Sequence, residues 1–203
     1  METELAIELC LAAHRRLEER IAGLTDDVAL RPSRLPDWTV GHVLTHLARN
    51  AEGHSMRLAG ALRGEEVQRY PGGAEQRDAD IESGSSRSSE ELVRDVTDTN
   101  RRLEAVWRES VEAGWPHSDL MAGDRWSTVD SPNRRLREVE IHHYDLGLGY
   151  EPAEWSDEYA DWELHRVLEG LPSRLDGAQK RQVVAWLTGR DPLPADFTVG
   201  EWG

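Results

Sequence analysis

Two short segments of the chain carry side chains of metal-ligand type, histidine or glutamate, one helical turn apart. His42 and His46 lie four residues apart in the first segment. In the second, Glu138 and His142 lie four apart and His143 follows directly. Residues at this spacing project from the same face of an α-helix. If the two helices are neighbours, His46, Glu138 and His142 can face one another and offer two nitrogens and one carboxylate.

Two nitrogens and one carboxylate are a common ligand set for a catalytic zinc ion, which keeps a water molecule in its fourth position. We therefore predict that His46, Glu138 and His142 bind one divalent metal, zinc or another borderline ion such as nickel. Spacing alone does not decide this, because such pairs are often solvated helix faces or packed core residues. His42 shares the face of His46 and is a rival ligand, a residue that supports the ligands, or part of the core.

Helical periodicity predicts a mainly all-α protein that would position these segments. Apolar residues at helical spacing indicate four long helices, over about residues 3–22, 38–64, 88–113 and 131–149. A polar stretch rich in Gly and Ser, residues 65–88, joins the second and third helices and is typical of a functional loop or crossover. The pattern predicts a four-helix bundle with this long crossover, rather than four helices joined only by hairpins.

Two regions of the chain carry more specific expectations about burial and domain organisation. After the bundle domain, residues 1–150, an abbreviated C-terminal region of residues 151–203 shows two short helical patterns and no convincing strand pair. On the first helix, the apolar face is predicted to consist of Leu5, Leu9, Ala12, Ala13, Leu17 and Ile21.

Composition limits the partners and the location of the protein. A formal net charge of −15 over 203 residues argues against nucleic acid as a partner, because phosphate binding needs a positive face. No apolar run is long enough to span a membrane, and the acidic start lacks the features of a signal peptide. We therefore expect a cytoplasmic protein. The sequence does not give the oligomeric state, and both a monomer and a homodimer are compatible with it. A small anionic substrate stays possible, because a few local arginines can outweigh the net charge.

Cys10 is the only cysteine, so the chain has no intramolecular disulfide and no cysteine-rich metal site. It lies in an apolar run on the first predicted helix. We therefore expect it to be a buried packing residue and not a nucleophile.

The two histidine segments resemble the motifs of a known family. Residues 37–51, DWTVGHVLTHLARNA, resemble the second-helix motif of the mycothiol-dependent maleylpyruvate isomerases, and residues 137–147, REVEIHHYDLG, resemble their second motif. The resemblance covers about residues 5–150 well and continues more weakly through residues 185–190. It implies the DinB-like fold, a metal-binding four-helix bundle, and it implies that the ligands are His46, Glu138 and His142.

The resemblance also implies an enzyme of aromatic catabolism that converts maleylpyruvate to fumarylpyruvate with mycothiol, a low-molecular-weight thiol, as cofactor. Cis–trans isomerisation needs temporary loss of a conjugated double bond, and a thiolate can add, allow rotation and leave. Because Cys10 is a poor candidate, the sulfur should come from the cofactor. A zinc ion would lower the pKa of that thiol.

Two arginines fit positions that contact the substrate in this family. Arg77 lies in the crossover and Arg190 lies near the C-terminus. Arginine binds carboxylates through two parallel hydrogen bonds, which suits a dianionic substrate, although both residues could equally be exposed surface arginines. Asp145, three residues after His142, could orient that ligand, end the helix or lie at the surface.

The chain departs from the longer family members after the bundle, where they carry an α/β region that helps to close the active site. The abbreviated region here leaves the substrate open. One alternative is a mycothiol S-transferase, which joins the activated thiol to an electrophile. The others are a non-catalytic metal-binding bundle and a structural bundle without metal.

Overall fold

The computed structural model describes residues 1–68, 70, 72–115 and 127–199, so the last four residues of the predicted C-terminal region lie outside it. Within these residues the chain forms eight α-helices and no β-strand. The helices are α1 (Thr3–Ile21), α2 (Asp26–Ala29), α3 (Val40–Leu62), α4 (Gly73–Ser85), α5 (Ser89–Glu112), α6 (Ser131–Asp145), α7 (Asp157–Arg174) and α8 (Gly177–Leu187). None of them is long and apolar enough to cross a membrane.

Four long helices, α1, α3, α5 and α6, form the bundle. Helix α3 packs mainly against α5, α1 packs mainly against α6, and α3 also contacts α6. The two helices with the histidine segments are therefore neighbours. The predicted all-α four-helix bundle with a long crossover between its second and third helices is confirmed.

Capping side chains set the starts of two bundle helices close to the predicted positions. The Thr39 hydroxyl accepts the His42 backbone N–H, while His42 Nδ1 accepts the Thr39 N–H at 3.2 Å. At α5, the Ser88 hydroxyl accepts the Glu91 N–H, and the Glu91 carboxylate accepts the Ser88 N–H at 3.0 Å. Each reciprocal pair satisfies backbone donors that a helix start otherwise leaves without partners.

The apolar face of α1 is rotated relative to its prediction. Its buried apolar residues are Ala6, Cys10, Ala13, Leu17 and Ile21, whereas Leu5 is 38% exposed. The prediction that Leu5 belongs to the core face was wrong. Leu5 lies one residue to the side of this stripe, which is a rotation of about 100° around the helix. The predicted burial of Cys10 is confirmed, and this burial raises the pKa of its thiol.

The crossover contains a helix, α4, that the sequence pattern did not predict. Only Ile81 and Ser85 of this helix are buried, so it lacks the apolar periodicity that marks an amphipathic helix. Its end lies directly on the start of α3, where a Cβ added at Gly41 would come within 2.1 Å of the Ser85 carbonyl oxygen. Glycine at position 41 thus permits the close approach of the two backbones.

Residues Ser156–Gly203 form a unit separate from Met1–Trp155. Its described part consists of α7 and α8 and contains no strand. At the start of α8, the Asp176 side chain accepts the backbone N–H groups of Ala178 and Gln179. Several apolar side chains of this unit are exposed, namely Leu164, Leu168, Val184, Trp186 and Leu187.

Candidate metal centre

His46 on α3 and Glu138 and His142 on α6 come together between the two helices. One ligand atom from each residue can be chosen so that all three lie within 4.8 Å of one another. Glu138 Oε2 lies 2.9 Å from His46 Nε2 and 3.6 Å from His142 Nε2. Among the residues that the structure describes, no other group of three histidine, cysteine or acidic side chains is arranged in this way. The structure therefore brings the three predicted ligands together.

The cluster is shielded on its histidine side and accessible at its carboxylate. His46 is 5% exposed and His142 is 9% exposed, while the Glu138 side chain is 22% exposed. Burial lowers the pKa of His46 to about 4, so its imidazole is neutral at pH 7 and keeps a lone pair. Neutral imidazole beside carboxylate is the protonation state that metal binding requires.

The rival ligand, His42, is engaged elsewhere. Its Nδ1 completes the cap with Thr39, and its Nε2 lies 3.2 Å from Glu82 Oε2 on α4. Both ring nitrogens therefore have partners outside the cluster. His42 links the start of α3 to α4 and is not one of the three grouped side chains.

Trp38 is a neighbour of the cluster that sequence reasoning missed. The centroid of its indole lies 5.7 Å from that of the His46 ring and 6.0 Å from that of the His42 ring. Ser33 fixes the loop that carries it, because both its backbone N–H and its hydroxyl donate to the Trp38 carbonyl at 2.8 Å. In the sequence, Trp38 stands at the predicted start of the second helix, and that position indicated no contact with the cluster.

The two predicted substrate-binding arginines lie in different units. Arg77 is on α4, with Nη2 at 3.3 Å from His46 Nδ1 and with Nη1 donating to Asp78 Oδ1 at 2.8 Å. Its half-buried guanidinium thus borders the cluster. Arg190 follows α8 in the C-terminal unit, where it is exposed and donates to the Thr188 carbonyl.

The bundle with its crossover is a DinB-like helical fold. The model of the mycothiol maleylpyruvate isomerase N-terminal domain family matches residues 10–147, which is more than half of the chain. The chain therefore belongs to this family.

Two solved structures are similar to the chain. A crystal structure of the mycothiol-dependent maleylpyruvate isomerase has a TM-score of 0.73 and 26% sequence identity, over 79% of this chain and 67% of that chain. A crystal structure of a histidine-to-alanine mutant of such an isomerase has the same TM-score and coverage, with 25% identity. These similarities show that the chain is homologous to an enzyme. A comparison with curated proteins found no match.

Proposed function

We propose that this protein is a metal- and mycothiol-dependent cis–trans isomerase that converts maleylpyruvate to fumarylpyruvate. The observation that carries the proposal is the cluster of His46, Glu138 and His142, whose ligand atoms lie within 4.8 Å in a member of this family. Zinc is the ion that we propose, because it accepts two nitrogens and one carboxylate and retains an open position.

The residues present fit such an ion. The three side chains offer the usual donor types, burial keeps the His46 imidazole neutral, and Glu138 reaches partly into solvent. A divalent ion held by them would lower the pKa of a mycothiol thiol and so provide a thiolate at neutral pH. Cys10 is buried and its thiol pKa is raised, which supports a sulfur nucleophile from outside the chain.

Arg77 is the proposed anchor for a substrate carboxylate. Its guanidinium is permanently charged and borders the cluster. Its ion pair with Asp78 is solvated, so exchanging that partner for a substrate carboxylate costs little. Trp38 lies against His46 and would exclude water from that side of the reacting groups. Arg190 is proposed as a second anchor because it fits a position that contacts the substrate in the family that the sequence resembles.

Metal content tests the site. We expect wild-type protein, purified without chelator and offered zinc, to hold a stoichiometric amount by elemental analysis, and His46→Ala to lose most of it. The matched control is His165→Ala, because His165 is an exposed histidine of α7 that pairs with Asp161. A wild-type protein that retains no zinc would rule out the proposed site.

Incubation with maleylpyruvate and mycothiol tests the reaction. An isomerase forms fumarylpyruvate and leaves the thiol unconsumed, whereas an S-transferase depletes the thiol in a stable adduct. Metal binding without either product would indicate a non-catalytic bundle.

Substitution of the arginines tests the anchors. Arg77→Met and Arg190→Met should each raise KM by about 10- to 100-fold, since each removes a charged hydrogen-bond donor. Arg63→Met is the control, because Arg63 is an exposed arginine paired with Glu65. An unchanged KM for Arg77→Met would exclude that residue as an anchor.

The proposal assigns the metal-binding domain to residues 1–150 and a separate C-terminal region to residues 151–203. It also includes a cytoplasmic location, no nucleic-acid or membrane partner, and a monomer or homodimer, in keeping with the net charge of −15. Light scattering on the purified protein distinguishes the monomer from the homodimer.

A further inference from the structure

We propose that Asp145 is a positioning residue for metal binding, which holds the His142 imidazole in the tautomer and orientation that present Nε2 to the ion. The inference rests on the proposed metal site and adds a residue to it. Asp145 Oδ2 lies 2.8 Å from His142 Nδ1, and Asp145 is only 8% exposed.

The tautomer follows from the chemistry of the two groups. A neutral imidazole carries one N–H and one lone pair, and an ionised carboxylate can only accept hydrogen bonds. The contact with Asp145 therefore requires the N–H on Nδ1, which leaves the lone pair on Nε2. That nitrogen is the one that lies 3.6 Å from Glu138 Oε2. A carboxylate behind a histidine ligand both fixes the ring and makes its nitrogen a stronger donor.

Helix stability does not explain an aspartate at this position. Asp145 is the last residue of α6, where the partial negative charge of the helix end repels a carboxylate. Its low exposure also excludes a solvated surface role. A buried carboxylate needs a compensating partner, and His142 supplies that hydrogen bond.

The backbone of Asp145 is held independently of its carboxylate. Its carbonyl accepts the Arg34 N–H at 2.8 Å. The Arg34 guanidinium lies over the Tyr144 ring, 3.9 Å from the centroid, and donates to Glu151 Oε1 at 2.6 Å. A change confined to the Asp145 side chain therefore leaves the end of α6 anchored by Arg34, and it tests the carboxylate alone.

Zinc affinity is the first measurement, made by competition with a chromophoric chelator. Asp145→Asn should raise the zinc dissociation constant about 10- to 100-fold, and Asp145→Ala at least as much. The matched control is Asp161→Asn, which alters an exposed Asp–His pair on α7 and should leave the dissociation constant unchanged. Equal affinities for wild type and both Asp145 variants would overturn the inference while the metal site stands.

The tautomer gives a second measurement that needs neither metal nor a variant. In wild-type protein from which metal has been removed with a chelator, the ¹⁵N chemical shifts of labelled histidine show which ring nitrogen of His142 carries the proton. We expect the proton on Nδ1, and a proton on Nε2 would overturn the inference. Wild-type protein that binds no zinc would defeat the proposed function together with this inference. Zinc binding by wild type and Asp161→Asn, with lower affinity in the Asp145 variants, supports both the proposed metal site and the role of Asp145.

Discussion

Two histidine–glutamate pairs in the bundle, each with a buried histidine, have nearly the same nitrogen–oxygen distance and different surroundings. His46 Nε2 lies 2.9 Å from Glu138 Oε2, and His14 Nδ1 lies 2.8 Å from Glu104 Oε1. Burial lowers the pKa of both histidines to about 4. The environments differ in the group that faces the pair, which is a second imidazole in one case and a buried cation in the other.

In the closed region around His14, that cation is Arg135. It is fully buried, and its Nε donates to His14 Nε2 at 3.2 Å. Its other nitrogens donate to the Leu47 carbonyl, Asn50 Oδ1 and Asn100 Oδ1, at 2.8 to 3.0 Å. The guanidinium therefore links α1, α3, α5 and α6 and occupies the space between them with a fixed positive charge.

The open region around His46 has a different arrangement. His142 contributes a second nitrogen, and the neighbouring cation, Arg77, is half-buried and paired with the exposed Asp78. A buried histidine paired with a carboxylate thus indicates a candidate metal site only when further ligand atoms converge and no fixed cation takes the place of the ion. Around His14, no group of three ligand atoms of this kind is found among the described residues, and Arg135 places a fixed cation where an ion would bind.

The largest effect that separates the two regions should come from Arg135→Met. The substitution leaves several buried acceptors without their donor and should lower the free energy of unfolding by roughly 3–5 kcal/mol. Arg77→Met, the matched change in the open region, should cost within about 1 kcal/mol, because its ion pair is solvated. Urea denaturation in the presence of chelator measures both. Equal losses would show that the two arginines do not differ as described.

The sequence indicated the candidate ligands of the open region more readily than it indicated the buried network of the closed region. Glu138 and His142 are on one helix and look like half of a metal site, so only the neighbouring helix had to be found. His14, Glu104 and Arg135 come from three helices distant along the chain, and Arg135 reads as a surface residue beside Leu136. Such a network depends on the packing of the whole bundle, which local spacing does not encode.

The helices also differ in how far local sequence predicts them. The starts of α3 and α5 lie close to their predicted positions, because the caps Thr39 and Ser88 act on their own backbone neighbours. Helix α4 was missed because its position depends on the close contact with Gly41 and not on an apolar face of its own. Leu5 was misassigned because apolar residues on adjacent faces of α1 gave two possible stripes.

The pH dependence of stability tests the closed region without metal. The pKa of His14 falls from 6.5 to about 4 on folding, so its contribution is complete above pH 6.5 and is lost as the pH falls to 4. This shift corresponds to about 3 kcal/mol. In the presence of a chelator, the free energy of unfolding should therefore fall less between pH 7 and pH 4 for His14→Gln than for wild type. His165→Gln, at an exposed site, should behave as wild type, and a His14→Gln profile parallel to wild type would contradict the assignment.

The smallest expected effect is the stabilisation by zinc, which should belong to the open region alone. At one hundred times its dissociation constant, an ion that binds only the folded state raises the free energy of unfolding by about 2.7 kcal/mol. His46→Ala should abolish this increment at pH 7. His14→Gln should retain it, because His14 supplies no ligand atom and its lone pair faces Arg135. Denaturation with and without zinc measures the increment for each variant. If His14→Gln loses it as well, the metal site and the buried network are one coupled unit and the distinction between the two regions fails.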